Sequence, residues 1–272
     1  MKKVIKKIIN RIKRFFKYRK SVSDNGEYPK FCRDASKDEE IFQTFRVNPQ
    51  YMKILEHVSE DLAKKYFYNI KESFGLSNKE IYEICKKLDN PGSPKLMKIV
   101  DNMPFISASA LRYLSTGLQI DKLVKNKNLN NVIEIGAGYG GQAIILNDIL
   151  KIDNYTFVDL KDVNLLIKKF TSHFDLNFQS KFLTLDDKFE KEYDLVISNY
   201  SFSELPRRLQ DVALNKIILN SSRGFMIMNS DSFNKNYNFY SKKEILEKIP
   251  SSKAELEIPN TNLNEENFTL TF

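Results

Sequence analysis

The apolar positions fall into three regimes along the chain. In residues 1–20, Val4, Ile5, Ile8, Ile9, Ile12, Phe15 and Phe16 recur every three or four residues with Lys and Arg between them, which predicts a basic amphipathic helix. Residues 21–37 open on "SVSDNGEYPK", polar with Gly and Pro, and read as a linker. From 38 to 128 the spacing is helical throughout: "DEEIFQTF", "NPQYMKILEHVSEDLAKKYFYNIKESFG", "SNKEIYEICKKL", "SPKLMKIVDNM" and "SASALRYLSTGLQIDKLVKN". Ser77 with Glu80 has the spacing of a capping box, Ser93 reads as a second N-cap, and Gly75 as a stop.

From 129 to 272 the period changes. Short apolar runs ("NNVIEIGAG", "NYTFVDL", "SKFLTL", "YDLVISNY", "GFMIMNS") alternate with helical stretches ("YGGQAIILNDILK", "KDVNLLIKKFTSHF", "LPRRLQDVALNKIILNSS", "SKKEILEKI"). That alternation predicts an α/β fold, a parallel sheet covered by helices on both faces. The chain closes on "AELEIP" and "NFTLTF" with little room for a helix between them, so one terminal strand should run antiparallel to the rest.

Composition narrows the function classes. The formal charge of +8 is an average over unlike parts: residues 1–20 hold ten Lys or Arg and no acid, leaving 33 basic and 35 acidic groups elsewhere. A near-neutral body argues against a nucleic-acid enzyme with a basic groove, and no nucleic-acid partner is expected. The basic tail suits peripheral contact with an anionic membrane, or docking on a membrane-bound assembly protein or on the body itself. No apolar run approaches the roughly 18–20 residues needed to span a bilayer, and the N-terminus lacks a continuous apolar core, so a cytoplasmic location, peripheral at the inner membrane face, is the expectation. Cys32 and Cys85, with His57 and His173 as the only histidines, offer neither a disulfide framework nor a zinc site, and no metal is expected. His57 lies in an amphipathic run and reads as structural or exposed, and His173 ends a helix away from the strand ends.

The densest chemical signal is "VIEIGAGYGGQ", in which Gly136, Gly138 and Gly141 satisfy G-x-G-x-x-G between a strand and a helix. Asp159 follows 23 residues after Gly136 at the end of the next strand, where an acid accepts hydrogen bonds from the hydroxyls of an adenosine ribose. Glycines and Asp159 together support an adenosine ligand, NAD or S-adenosylmethionine. Glu134, beside the loop, suits a ligand carrying ammonium and sulfonium charge and would repel a pyrophosphate. The one Tyr-x-x-x-Lys, Tyr82 to Lys86, lies upstream in a helical segment, away from where hydride transfer would occur.

"EIGAGYGGQ", "YTFVDL", "YDLVISNYSFSEL" and "SSRGFMIMN", with "NPQYMKILEHVS" and "SASALRYLSTGLQI" upstream, resemble the bacterial sugar O-methyltransferases encoded with surface-polysaccharide genes, over roughly residues 45–230. The first two motifs mark the class I S-adenosylmethionine-dependent methyltransferase superfamily; "GYGGQ" with "ISNYSFSEL" points to this family. The resemblance implies a seven-stranded Rossmann-like sheet with an antiparallel terminal strand, preceded by a helical cap over 38–128. It also implies S-adenosylmethionine as cofactor, with Glu134, Gly136 and Gly138 around its methionine end, Asp159 at the ribose, Asn199 near the sulfur and Gly140 as a further cofactor-binding residue of the loop. Asp186, or the adjacent Asp187, would reach the adenine. The implied acceptor is a sugar or glycan.

Methyl transfer to a sugar hydroxyl calls for a general base, and Glu204 is the first candidate because Phe202 and Leu205 can shield its carboxylate. Asp231 is the second; Glu204 could instead cap a helix. Arg112, Tyr113, Tyr139, Tyr200 and Ser203 are candidates for acceptor binding. The rival readings are an NAD-dependent sugar oxidoreductase and a non-catalytic methyltransferase-like scaffold in a glycan-synthesis complex.

Overall fold

A computed structural model describes residues 21, 23–125, 127–232, 238–261 and 266–272. The amphipathic segment 1–20 lies outside the described residues. The helical part comprises α1 (Glu27–Lys37), α2 (Glu39–Gln43), α3 (Pro49–Met52), α4 (Glu60–Phe74), α5 (Asn78–Cys85) and, after a two-stranded ribbon of β1 (Leu96–Met97) and β2 (Ile106–Ser107), α6 (Ala108–Val124). The capping box of Ser77 and Glu80 is present at the start of α5, and Gly75 closes α4 at φ +73°.

Three local expectations for this part need correction. The segment read as a linker holds α1: Tyr28, Phe31, Cys32 and Ala35 bury one face at helical spacing. Pro29 is tolerated in the first turn, where its missing N–H has no intrahelical acceptor. The single helix expected over "NPQYMKILEHVSEDLAKKYFYNIKESFG" is two, because Asn48 caps α3 and the Ser59 hydroxyl accepts from Leu62 N to start α4 afresh. The helix expected over "SPKLMKIVDNM" is β1 and irregular chain; Gly92 and Ser93 both take positive φ, 83° and 47°, so Ser93 cannot act as an N-cap.

The larger sheet contains β3 (Leu129–Ile135), β4 (Ile152–Val158), β5 (Gln179–Leu183), β6 (Leu195–Asn199), β7 (Gly224–Met228), β8 (Lys253–Leu256) and β9 (Phe268–Thr271). Their spatial order is β5-β4-β3-β6-β7-β9-β8. The pairs from β5 through β7 are parallel, and β9 runs antiparallel to both its neighbours. This is the seven-stranded Rossmann-like sheet with a reversed terminal strand that the resemblance implied. The connecting helices are α7 (Gly141–Ile149), α8 (Lys161–Thr171), α9 (Ser201–Glu204), α10 (Arg207–Lys216) and α11 (Lys242–Lys248).

Side chains alternate across the sheet, so Val132 joins the apolar layer under the helical part while Ile133 joins the opposite layer with Val196 and Met226. Strand order reverses between β3 and β6, which opens a crevice at their carboxyl ends. The helical part reaches over that crevice and is tied to α8 by two ion pairs, Arg33 to Asp162 at 3.0 Å and Lys169 to Glu39 at 2.9 Å. Among the described residues no helix is long and apolar enough to cross a membrane.

Candidate functional site

Above the crevice lies a cavity of about 430 Å³, within the range of about 300–1,000 Å³ usual for small-molecule sites. Its floor is the turn after β3. Gly136 and Gly138 adopt φ +75° and +64°, a region most residues avoid. A Cβ on Gly136 would lie 2.0 Å from Ser201 Oγ, and one on Gly138 would lie 2.9 Å from Leu55 Cδ1. Both glycines therefore let the neighbouring chain, Ser201 and Leu55, approach the backbone at the cavity floor.

Two carboxyl groups flank this turn and line the cavity. Glu134, one residue before the end of β3, is 1% exposed and accepts from the Tyr155 hydroxyl at 2.8 Å. Burial pushes its pKa up to about 7 against that hydrogen bond. Asp159, just beyond β4, accepts from Leu160 N at 2.8 Å and from Gly138 N at 3.3 Å. Burial outweighs these bonds too and raises it to about 6. Both groups are thus in short supply of stabilising partners for their charged forms, which a cationic or hydroxyl-bearing ligand would provide.

The far wall comes from the ends of β6 and β7. Asn199 closes β6, and its buried Oδ1 has no hydrogen-bond partner among the described residues. Tyr200 follows at φ +66°, its hydroxyl donating to Glu257 and lying 3.0 Å from Thr261 Oγ1. Glu204 ends α9, and burial lifts its carboxyl to about 7 in spite of a hydrogen bond from the Asn229 side chain. It caps no helix: α10 starts at Arg207 after Pro206 without a side-chain cap.

The roof is helical. Arg112 and Tyr113 of α6 line the cavity, the Tyr113 ring lying so close to Gly141 that a Cβ there would meet it at 2.6 Å. His57 and Leu55, from the break between α3 and α4, line it as well, with Tyr66 of α4 and Tyr28 of α1. Burial, and then the Arg112 charge, lower the pKa of His57. An ion pair with its arginine fully buried holds this break in place: Arg46 Nε reaches Glu56 at 2.6 Å, while its other nitrogens donate to Leu88 O, Ser107 and Ser109.

The structure thus brings Arg112, Tyr113, Glu134, Gly136, Gly138, Asp159, Asn199, Tyr200 and Glu204 to one cavity. Tyr139, Gly140, Ser203, Asp186, Asp187, Asp231 and His173, all singled out in the sequence, lie elsewhere. Tyr139 is instead wholly buried in an aromatic cluster with Phe45, Tyr51 and Phe170, under the Arg46 guanidinium, because the glycine turn directs it away from the ligand side. Gly140 forms the N-terminal cap of α7 at φ +90°, facing Thr171. Ser203 is buried, its hydroxyl donating to Tyr200 O and accepting from Asn229 N, so it braces the wall from behind. Asp186 sits exposed in the turn after β5, which Asp187 closes onto Thr184. Asp231 is exposed and accepts from Lys242 N at the start of α11. His173 stacks on Phe42, outside the cavity.

Tyr28, Leu55, Tyr66, Asn229, Thr261 and Asn267 line the cavity without having been singled out. Asn229, at the end of a predicted strand, carried the same positional signal as Asn199; the others come from helix faces and an irregular segment, whose direction no short-range pattern gives. Among the described residues no group of three or more His, Cys, Asp or Glu could hold a metal ion.

No family model matches the chain, and no curated protein matches it. Among solved structures, it is similar to the N-methyltransferase NodS from Bradyrhizobium japonicum WM9 in complex with S-adenosyl-L-homocysteine. That likeness has 11% identity and a TM-score of 0.47, over 59% of this chain and 84% of NodS. It is similar to the methyltransferase domain of bacterial CtHen1 at 17% identity and a TM-score of 0.42, over 58% and 94% of the two chains. With the glycopeptide N-methyltransferase MtfA complexed with sinefungin the figures are 9%, 0.44, 58% and 85%. The ligands and acceptors in those names belong to those proteins.

Proposed function

We propose that this protein is an S-adenosylmethionine-dependent methyltransferase that transfers the methyl group to a hydroxyl of a saccharide, in surface-polysaccharide or glycan-precursor synthesis. The observation that carries the reading is the pair Glu134 and Asp159, on adjacent strand ends either side of the glycine turn, facing the same cavity as Glu204. The residues fit the cofactor. Gly136 and Gly138 admit the methionine end to the backbone, Glu134 meets its ammonium and sulfonium charge, and Asp159 accepts from the ribose hydroxyls. The unpartnered Asn199 Oδ1 offers an acceptor near the reacting end.

When bound, S-adenosylmethionine supplies an electrophilic methyl group on a sulfonium. The chain's own residues do the rest. The helical roof excludes water and the polar walls orient the acceptor, and such positioning is the main source of rate in an in-line displacement. Glu204 would take the hydroxyl proton as the oxygen–methyl bond formed and the methyl–sulfonium bond broke with its electron pair left on sulfur, giving a methyl ether, S-adenosylhomocysteine and a protonated carboxyl. With its pKa at about 7, Glu204 is substantially ionised at neutral pH yet basic enough to accept a proton. The hydroxyl, amide and carboxyl groups of Tyr66, Thr261, Asn229, Asn267 and Glu204 around the cavity suit an acceptor with several hydroxyls.

The test is to incubate the full chain with methyl-labelled S-adenosylmethionine and a glycan extract of cells lacking the protein, then analyse sugars by mass spectrometry. A labelled O-methyl sugar is expected. Label confined to amines, or none with a competent extract, would contradict the assignment.

A further inference from the structure

Gln142, the last residue of "GYGGQ", is a wholly buried polar side chain among apolar neighbours of α7, Ala143, Ile144, Ile145 and Leu146. A buried amide is costly unless hydrogen-bonded, and a methionine would fill similar space without that demand. Its two bonds are directional. Nε2 donates to Tyr113 O of α6 at 3.1 Å, and Oε1 accepts from Asn199 Nδ2 at the end of β6 at 3.4 Å. A main-chain carbonyl can only accept, so the Gln142 nitrogen must face Tyr113 and its oxygen Asn199. An amide oxygen can only accept as well, so Asn199 turns its nitrogen to Gln142 and its oxygen away. That oxygen is the buried Oδ1 with no hydrogen-bond partner among the described residues.

Strand register fixes where this amide stands. Glu134 pairs with Ile197 across parallel β3 and β6, so Asn199, two residues further on, lies level with Gly136. Alternation puts its side chain on the same face of the sheet as Glu134, and both residues line the cavity. The amide therefore stands at the switch point beside the glycine turn. Which edge it presents matters there: an amide oxygen attracts a positive charge, and an amide nitrogen in the same place repels it.

We infer that Gln142 is a positioning residue, which turns the Asn199 amide so that its oxygen, and not its nitrogen, meets the positively charged reacting end of the cofactor. This rests on the methyltransferase reading above and adds the residue that sets the sign of that contact.

Two ligands isolate the contact. Sinefungin carries an ammonium where the sulfonium methyl would be, and S-adenosylhomocysteine carries no charge there. The full chain is titrated calorimetrically with both, as wild type, Gln142→Met, Asn199→Ala and the double variant Gln142→Met with Asn199→Asp, with thermal unfolding to confirm that each is folded. Wild type should bind sinefungin about tenfold or more tighter than S-adenosylhomocysteine, on the order of what one charged hydrogen bond contributes. Gln142→Met frees the amide to turn, so the preference should fall at least several-fold while S-adenosylhomocysteine affinity changes less than about threefold. Asn199→Ala, which leaves Gln142 in place, should lose the preference likewise. A carboxylate presents oxygen whichever way it turns, so the double variant should regain it. Equal loss of both ligands in Gln142→Met without that rescue would make Gln142 merely structural and overturn the inference. Retention of the preference in Gln142→Met or Asn199→Ala overturns it too. Equal binding of the two ligands by wild type overturns the inference and leaves the methyltransferase reading standing; absence of S-adenosylhomocysteine binding to wild type overturns both.

Discussion

Glu134, Asp159 and Glu204 open onto one cavity with their ionisation opposed by burial, yet each answers to different neighbours. Glu134 has a tyrosine hydroxyl, Asp159 has two backbone N–H groups, and Glu204 has only an amide. That order suits two binding groups and one proton acceptor. Glu204→Gln keeps the shape and removes the basic site, so turnover should fall by about 10²–10⁴-fold while S-adenosylhomocysteine affinity stays within about twofold. Steady-state kinetics beside calorimetry separates the two; unchanged turnover removes Glu204 as the base. Glu134 and Asp159 were legible in the sequence because the ends of strands are fixed by the apolar period. Tyr139 and Ser203 were not separable from their cavity-lining neighbours, since one step along a turn or a short helix reverses which way a side chain faces.

The helical elements show why a pattern can be read correctly and cut wrongly. Apolar spacing marks the run from Pro49 to Phe74 as helical, but the break at 53–59 is set by the Ser59 cap and by Arg46 drawing Glu56 inward from ten residues away. No local period records that second cause. The break matters, because it delivers Leu55 to Gly138 and His57 to the cavity. Arg46→Met would leave the Glu56 carboxylate, 10% exposed, without its partner. Removing one member of such a pair costs about 3–5 kcal/mol. Urea unfolding should show a loss of that size, with weakened cofactor binding as the roof loosens; a loss under about 1 kcal/mol would mean the pair does not fix the break. The sheet, by contrast, was legible strand by strand, since each strand has its own apolar run and turn signals, and the reversed β9 followed from the short spacer before it. Helix α1 was obscured by Gly26 and Pro29, which read as a linker until the burial of Tyr28, Phe31, Cys32 and Ala35 shows the period.

For the whole molecule, charge and fold are divided between parts. The ten basic residues of the first 20 stand apart from a body of nearly balanced charge. We propose that they attach the protein to an anionic membrane surface, where each contributes about 1 kcal/mol, bringing the active cavity to lipid-linked or membrane-assembled glycan. Deleting residues 1–20 should abolish co-sedimentation with phosphatidylglycerol vesicles and leave S-adenosylhomocysteine binding intact; retained co-sedimentation would refute the anchor. The central claim concerns the cofactor, and its sign with pH discriminates. Glu134, at about 7 in the free protein, is partly protonated near neutrality. A ligand bringing an ammonium beside it favours the ionised form, so binding expels a proton and affinity rises as pH climbs through 7, levelling above it. A pyrophosphate there favours the protonated form and reverses the slope. Calorimetry of the full chain with S-adenosylhomocysteine and with NAD, at about pH 6 and pH 8, is the most direct measurement. The account predicts that S-adenosylhomocysteine binds the more tightly of the two and more tightly at the higher pH; preference for NAD, or affinity that falls as pH rises, would contradict it.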